Sequence, residues 1–89
     1  MDIRQDLPGA DLVEGGLSDL EAGRETAAAL LVASFSSRLR RLGFTVPATD
    51  IADPEIRFYR LLERTRPNPH HYYNALRRRL VSFAEAREC

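Results

Sequence analysis

The chain has 89 residues, of which 44% are hydrophobic and 29% charged, and thirteen basic residues balance thirteen acidic ones. This size and composition predict one small globular domain and exclude a disordered or fibrous chain. The single cysteine, Cys89, excludes an intramolecular disulfide and a cysteine-based metal site. The apolar stretches are far shorter than the roughly 20 residues of a membrane span, and the amino terminus lacks the pattern of a secretory signal, so we expect a cytoplasmic protein.

The charges are unevenly distributed along the chain. Residues 1–25 hold seven acids and two arginines, a net charge of −5, whereas residues 38–79 hold ten arginines and four acids, a net charge of +6. Such an asymmetry indicates a charged partner or self-association. The basic residues are all arginine, which a GC-rich genome also produces, so the lack of lysine does not by itself indicate nucleic-acid binding.

The first part of the chain has no helical periodicity. Residues 1–16 contain one proline and three glycines, and the pair Gly15–Gly16 is interpreted as a hinge. We therefore expect an acidic N-terminal arm over residues 1–16, with a few leucines that dock on the rest of the protein. The remaining residues, 17–89, are expected to form a helical bundle, and the arm and the bundle together make a single domain.

A short helix is predicted at the end of the arm. Ser18 and Glu21 stand three residues apart, which matches a capping box in which each side chain meets a free backbone N–H group. Gly23 favours the left-handed conformation that ends a helix. The sequence therefore predicts a short helix between Ser18 and Gly23, and at most one or two helical turns among the leucines of the arm before it.

The clearest predicted element is one continuous helix from about Glu25 to Leu42. Four alanines favour the helix, and Gly43 ends it. An acid near its start and three arginines near its end suit the helix dipole. Its apolar residues recur every three or four positions, which places them on one face. The predicted face comprises Ala28, Leu31, Phe35, Leu39 and Leu42.

A connector over residues 44–52 leads to the second long helix. Asp53-Pro54-Glu55 predicts its start, because aspartate is a common N-cap and proline suits the first helical position. Its predicted buried side comprises Ile56, Phe58, Tyr59, Leu61 and Leu62.

The segment Arg66-Pro67-Asn68-Pro69 ends the second long helix and begins the third, predicted over residues 70–86. Three amphipathic helices with short links, preceded by an arm with a short helix, predict an all-α bundle. The predicted apolar face of the last helix comprises Tyr73, Leu76, Leu80 and Phe83, with Ala84 beside them.

The charge pattern favours a non-catalytic protein-interaction or accessory module. The acidic arm and the basic body are complementary, so the partner is another protein or a second copy in a homo-oligomer. No cofactor, metal or membrane partner is expected. The candidate partner-binding residues are seven arginines on the helices and three residues at the last helix junction: Arg38, Arg41, Arg57, Arg60, Arg64, Arg77, Arg78, His70, His71 and Tyr72.

Nucleic-acid binding is the alternative, through an arginine surface interleaved with Tyr59 and Tyr72. The zero net charge and the isoelectric point near 6.7 weigh against it. A third interpretation is a ribonuclease, because the Arg-x4-His spacing of Arg66 and His71 occurs in a class of small helical ribonucleases in which histidine moves protons and arginine holds the phosphate. The prolines inside this spacing place the pair across a helix boundary. Adjacent histidines point about 100° apart on a helix, which does not favour a shared metal ion.

Overall fold

A computed structural model of the protein describes residues 9–88, in which five helices and no strands occur. The predicted all-α class is confirmed. Residues 1–8 of the predicted arm, and Cys89, lie outside the described residues. The helices are α1 (Ala10–Glu21), α2 (Ala27–Ser34), α3 (Ser36–Arg41), α4 (Pro54–Thr65) and α5 (Pro69–Glu88).

Four of the helices pack in a ring around the core. α1 packs on α2, α2 packs on α4, α4 packs on α5, and α5 returns to α1 through a smaller contact. α1 and α4 therefore occupy opposite corners of the bundle. The core takes apolar side chains from all five helices, and the largest of those that are fully buried are Phe58, Phe83, Leu31, Leu39 and Leu80.

α1 begins earlier than the sequence predicted. It starts at Ala10, after Gly9 in the left-handed conformation, and runs across the predicted boundary between residues 16 and 17. Ser18 lies inside this helix, so the predicted capping box is wrong. Gly23, with φ near +80°, follows the end of the helix as predicted. Apolar residues such as Val13 stabilise α1 through burial in the core, which outweighs the low helix propensity of its glycines.

The Gly15–Gly16 pair is a helical segment and not a hinge. A Cβ atom at Gly16 would overlap the side chain of Val32 and the carbonyl oxygen of Ala28, so glycine is what allows α1 to lie so close to α2. A Cβ atom at Gly15 would meet no atom within 4 Å. The first glycine therefore has no packing role, whereas the second fixes the distance between two helices.

The predicted helix over residues 25–42 is interrupted at Phe35, so the prediction of one continuous helix is wrong at this point. The Phe35 N–H group donates to the carbonyl oxygens of both Leu31 and Val32, at 3.2 and 3.0 Å. The Ser34 hydroxyl donates to the same Leu31 oxygen at 2.6 Å, and such bonds bend helices. The predicted apolar face survives, because Leu31 and Leu39 are fully buried on either side of the interruption.

α4 begins at Pro54, as predicted, but two details of that prediction are wrong. Asp53 adopts the left-handed conformation with φ of 48°, and its side chain makes no capping hydrogen bond. Ile56, predicted on the buried side, has an exposed fraction of 54%, whereas Phe58 is fully buried. Ile56 and Phe58 are two residues apart on the helix, so their side chains point in directions that differ by about 160°. They therefore cannot both face the core.

α5 runs from Pro69 to Glu88, so it begins one residue before the predicted range of residues 70–86 and ends two residues after it. Leu80, Phe83 and Ala84 are buried, and the other two residues of the predicted face are half-buried. Among residues 9–88, none of the helices has the combination of length and apolar character that crossing a bilayer requires.

Candidate functional site

The outward face of α4 carries Ile56, the one large hydrophobic residue that is exposed among residues 9–88. A single exposed apolar side chain is ordinary on a protein surface. Ile56 differs because it lies at the boundary of two grooves, one on each side of it along α4. We call this region the α4 surface, and it comprises Ile56, Arg57, Tyr59, Arg60, Glu63 and Arg64.

The first groove lies between α4 and the start of α2 and has a volume of about 630 Å³. Leu30 and Leu61 contribute apolar atoms to its lining, and three arginines of α4 recur along it at intervals of three and four residues. We call it the arginine groove. Its main lining residues are Leu30, Leu61, Arg57, Arg60, Arg64 and Glu25.

The charges in the arginine groove are only partly neutralised. Arg57 Nη2 lies 2.9 Å from Glu25 Oε1, and the carboxylate of Asp53 also lines the groove. Arg60 and Arg64 are exposed and form no ion pair or hydrogen bond with another residue between positions 9 and 88. Two guanidinium groups one helical turn apart therefore remain available to carboxylates or phosphates from outside the molecule.

The second groove lies on the other side of Ile56, between α4 and α5, and has a volume of about 570 Å³. The Tyr73 hydroxyl donates a hydrogen bond to Glu55, and this bond, together with burial, raises the pKa of Tyr73. The rings of Tyr59 and Tyr73 meet edge to face with centroids 5.2 Å apart. These contacts fix the tyrosines against α4, so this wall of the α4 surface is already ordered before a partner binds.

Arg77 lies at the same end of α4 as Glu55. Its Nε atom is 3.5 Å from Glu55 Oε2, and its guanidinium carbon lies 5.5 Å from the centre of the Phe35 ring. Arg77 is therefore engaged within the chain, although its buried Nε atom makes no hydrogen bond with any of residues 9–88. Arg78, the next residue, is exposed on the outer face of α5.

Arg38 and Arg41 lie on α3, away from the arginine groove. Arg38 donates two hydrogen bonds, both 3.1 Å long, to the carboxylate of Glu88 near the end of α5. This pairing raises the pKa of Arg38 and lowers the pKa of Glu88, and the charge of Arg41 lowers the latter further. Arg38 therefore joins α3 to α5, and neither Arg38 nor Arg41 lines the arginine groove.

The residues predicted at the last helix junction gather around Tyr72. The His71 ring meets the Tyr72 ring edge to face at 5.5 Å, and the Arg66 guanidinium lies 4.8 Å from the centre of that ring. Arg66 follows α4 whereas His71 belongs to α5, so the pair does lie across a helix boundary. His70 and His71 are both exposed.

Part of the predicted attraction between the acidic front and the basic body is satisfied within the chain. Asp11 of α1 accepts a 2.8 Å hydrogen bond from Arg79 of α5, which lowers the pKa of Asp11. Glu25 pairs with Arg57 across the arginine groove. The front of the chain thus packs on its own body through at least two ion pairs, both of them exposed to solvent.

The structure brings together three of the predicted arginines, Arg57, Arg60 and Arg64. Arg38 and Arg77 make contacts elsewhere, and Arg41 and Arg78 are exposed away from the arginine groove. Ile56 was not predicted as a site residue, because the apolar pattern of α4 placed it in the core. The available signal was the recurrence of Ile56, Arg60 and Glu63 at intervals of four and three, which describes the side of the helix opposite Phe58.

Among residues 9–88, no three histidine, cysteine, aspartate or glutamate side chains lie close enough to share a metal ion. Comparison of the chain with protein-family models, with curated proteins and with solved structures finds no match in any of the three.

Proposed function

We propose that this protein is a non-catalytic cytoplasmic interaction module that docks an acidic surface of a protein partner on the α4 surface. The observation that carries the proposal is the exposed Ile56 at the edge of a groove, beside Arg60 and Arg64, which pair with no residue in the described range 9–88. An apolar anchor next to a charged rim is the usual composition of a protein-binding surface.

The two kinds of side chain have different roles in docking. Burying an isoleucine side chain completely contributes on the order of 1.5–3 kcal/mol, so Ile56 supplies affinity. The exposed arginines supply orientation and a faster association rate, because charges at the rim of an interface act mainly on encounter and selectivity. A partner that matches both Ile56 and the exposed arginines carries a small apolar side chain flanked by carboxylates.

Nucleic-acid binding is the second candidate, and the alignment of Arg57, Arg60 and Arg64 along one groove favours it. The same grooves contain the carboxylates of Glu25 and Glu63, which repel phosphate. The central position of Ile56 also suits a protein partner better than a sugar-phosphate backbone. These features favour the protein partner.

Photo-crosslinking in cells tests the proposal. A photoreactive residue at position 56 should give one defined protein adduct, and the same residue at Asn74, exposed on α5, is the matched control. The adduct at position 56 should disappear when Arg60 and Arg64 are both changed to glutamate. Adducts that are identical at the two positions would contradict the proposal, and nucleic acid as the crosslinked species would establish the second candidate.

A further inference from the structure

We infer that the partner segment bound by the α4 surface is an amphipathic α-helix with one acidic flank. This inference rests on the proposed function of that surface and specifies the shape and the charge pattern of its occupant. Three features of the molecule support it: a row of exposed side chains on α4, a groove on each side of that row, and the different charges of the two grooves.

The outer side of α4 carries one continuous row of side chains. Ile56, Arg60 and Arg64 follow one another at intervals of four residues, and all three are exposed. Side chains four residues apart on a helix form a ridge inclined to the helix axis, with successive members about 6 Å apart along that axis. We call this row the outer ridge. It lies on the side of α4 opposite the buried residues Phe58 and Leu62.

A groove runs along each side of the outer ridge. The arginine groove is lined by the outer ridge and by the neighbouring row of α4, to which Arg57 and Leu61 belong. The groove between α4 and α5 is lined by the outer ridge and by the row on its other side, to which Glu55, Tyr59 and Glu63 belong. Each groove therefore lies between two adjacent rows of α4, which is the surface pattern into which a second helix packs its own rows.

The two grooves suit a helix better than an extended peptide. Extended peptides commonly bind through hydrogen bonds to the edge of a sheet, and residues 9–88 contain no strand. A helix needs no such backbone partner, because its own N–H and C=O groups bond to one another. Two rows of its side chains can occupy the two grooves while the outer ridge lies between them. Helices that pack in this way cross at an angle of about −50°.

The available positive charge of the arginine groove lies toward the end of α4. Arg60 and Arg64 pair with no other residue in the described range 9–88. The carboxylates that line the same groove lie toward the start of α4, because Asp53 precedes the helix and Glu25 bonds to Arg57. Carboxylates of a partner are therefore favoured beside the last two turns of α4 and disfavoured beside its first turn.

The groove between α4 and α5 favours a different side chain. Glu63 is exposed and forms no ion pair or hydrogen bond with another residue between positions 9 and 88. Tyr59 and Tyr73 line the same groove. A carboxylate beside aromatic rings suits a basic or uncharged side chain, and the carboxylate repels an acidic one. The matching helix therefore has carboxylates on one flank, a basic or uncharged residue on the other, and an apolar residue that contacts Ile56.

Binding of short peptides to the whole chain tests the inference. The first peptide is alanine-rich and carries one leucine, followed by glutamates four and eight residues later, so that the three side chains form one row when the peptide is helical. The second peptide differs only by a central proline, which breaks the helix. In about 0.01 M salt, fluorescence anisotropy should give a dissociation constant about tenfold or more lower for the first peptide than for the second.

Variants of the protein locate the bound peptide. Changing Arg60 and Arg64 together to glutamate should raise the dissociation constant of the first peptide about tenfold or more, and should allow a peptide with lysines in place of its glutamates to bind. Arg78→Glu, which reverses an exposed arginine on α5 away from the grooves, should leave the constant unchanged. Far-UV circular dichroism establishes that each variant is folded, and it should show a gain of helix when the first peptide binds.

The outcomes separate this inference from the proposed function. The inference is overturned if the first peptide does not bind, if the proline peptide binds equally well, or if R60E with R64E has no effect. In these cases a crosslink from position 56 to an acidic protein would leave the proposed function intact.

Two other results would contradict the proposed function itself. Absence of any crosslink from position 56 in cells would do so, whatever the peptide result. A single-stranded oligonucleotide that binds more tightly than the first peptide, and that loses affinity when Arg60 and Arg64 are changed to glutamate, would identify nucleic acid as the occupant and overturn both proposals.

Discussion

The two adjacent glycines of α1 have opposite consequences for packing. Gly16 faces α2 so closely that any side chain would overlap Val32 and the backbone of Ala28, whereas Gly15 faces open solvent. The sequence presents the same residue twice, and periodicity alone does not distinguish the two positions. Only the arrangement of α1 against α2 gives one of them a structural role.

Substitution of each glycine by alanine should therefore change stability in opposite directions. Gly16→Ala should lower the free energy of unfolding by about 1–3 kcal/mol, because the new methyl group forces the helices apart. Gly15→Ala, its matched control, should raise it by about 0.5–1 kcal/mol through better helix propensity. Urea denaturation of both variants measures the difference, and equal effects at the two positions would contradict the helix packing described here.

Asp19 joins the end of α1 to the start of α2. The Thr26 hydroxyl accepts a hydrogen bond from the N–H group of Ala29, as an N-cap, and donates one of 2.6 Å to Asp19 Oδ2. Arg24 Nη2 lies 2.9 Å from the other oxygen of Asp19. The bond from Thr26 and then the bond from Arg24 lower the pKa of Asp19 below 3.8.

This arrangement predicts a contribution to acid stability with a definite sign. A carboxylate with a depressed pKa in the folded state stabilises the fold above its ordinary value near 3.8, and the stabilisation is lost as the pH falls through the folded pKa. Asp19→Asn should therefore lower Tm at pH 7 and reduce the fall in Tm below about pH 4. Asp50→Asn, in the exposed loop before α4, is the control; if both variants lose stability in parallel at every pH, the role of Asp19 is wrong.

At the scale of the elements, burial decides which apolar residues stabilise a helix. Leu80 of α5 is fully buried, and Ile56 of α4 has an exposed fraction of 54%. Both residues occur in amphipathic patterns, and the sequence placed both in the core. α4 contacts its neighbours through a narrower face than its apolar content indicates, because it occupies a corner of the ring.

Truncating Leu80 should affect the stability of the fold, whereas truncating Ile56 should affect binding at the α4 surface. Leu80→Ala should lower the free energy of unfolding by about 2–5 kcal/mol, because it leaves a cavity in the core, and Phe35→Ala should have a cost of similar size. Ile56→Ala should change the free energy of unfolding by about 0.5 kcal/mol or less, while weakening the crosslink or association at the α4 surface. Thermal denaturation compares the stabilities of the three variants, and crosslinking compares their binding at the α4 surface. An Ile56→Ala variant as unstable as Leu80→Ala would show that Ile56 is a core residue.

At the scale of the whole molecule, the ion pairs connect helices without burying charge. Asp11–Arg79 joins α1 to α5, Arg38–Glu88 joins α3 to α5, and Arg57–Glu25 joins α4 to the segment before α2. Exposed pairs of this kind contribute about 0–1 kcal/mol each. Apolar packing therefore provides most of the stability, and the charges act chiefly on contacts with other molecules.

Salt should consequently affect association and folding to different extents. Raising the salt concentration to about 1 M should leave the Tm of the isolated chain almost unchanged, since the exposed pairs add little. The same change should dissociate any complex formed through Arg60 and Arg64. Tm and average mass measured in the same salt series test this, and a Tm that falls in step with dissociation would mean that folding depends on association.

Several features of this protein could be predicted from short stretches of the sequence alone. Pro54 and Pro69 begin their helices, and Gly23 and Gly43 follow the ends of theirs in the left-handed conformation, because these residues restrict or free the backbone wherever they occur. The apolar periodicity identified the all-α class for the same reason, since it depends only on residues three and four positions apart.

Other features depended on which helices meet. The sequence contained the glycines of α1, the Ser34 hydroxyl and Ile56, but their roles follow from contacts between distant residues. The close approach to α2 packed α1 into the core. The corner position of α4 exposed Ile56 and aligned three arginines along one groove, whereas contacts with Glu88, Glu55 and Asp11 engaged other arginines elsewhere. Charge and periodicity are properties of the chain, but whether a given charge is satisfied or available is decided only when the helices have packed.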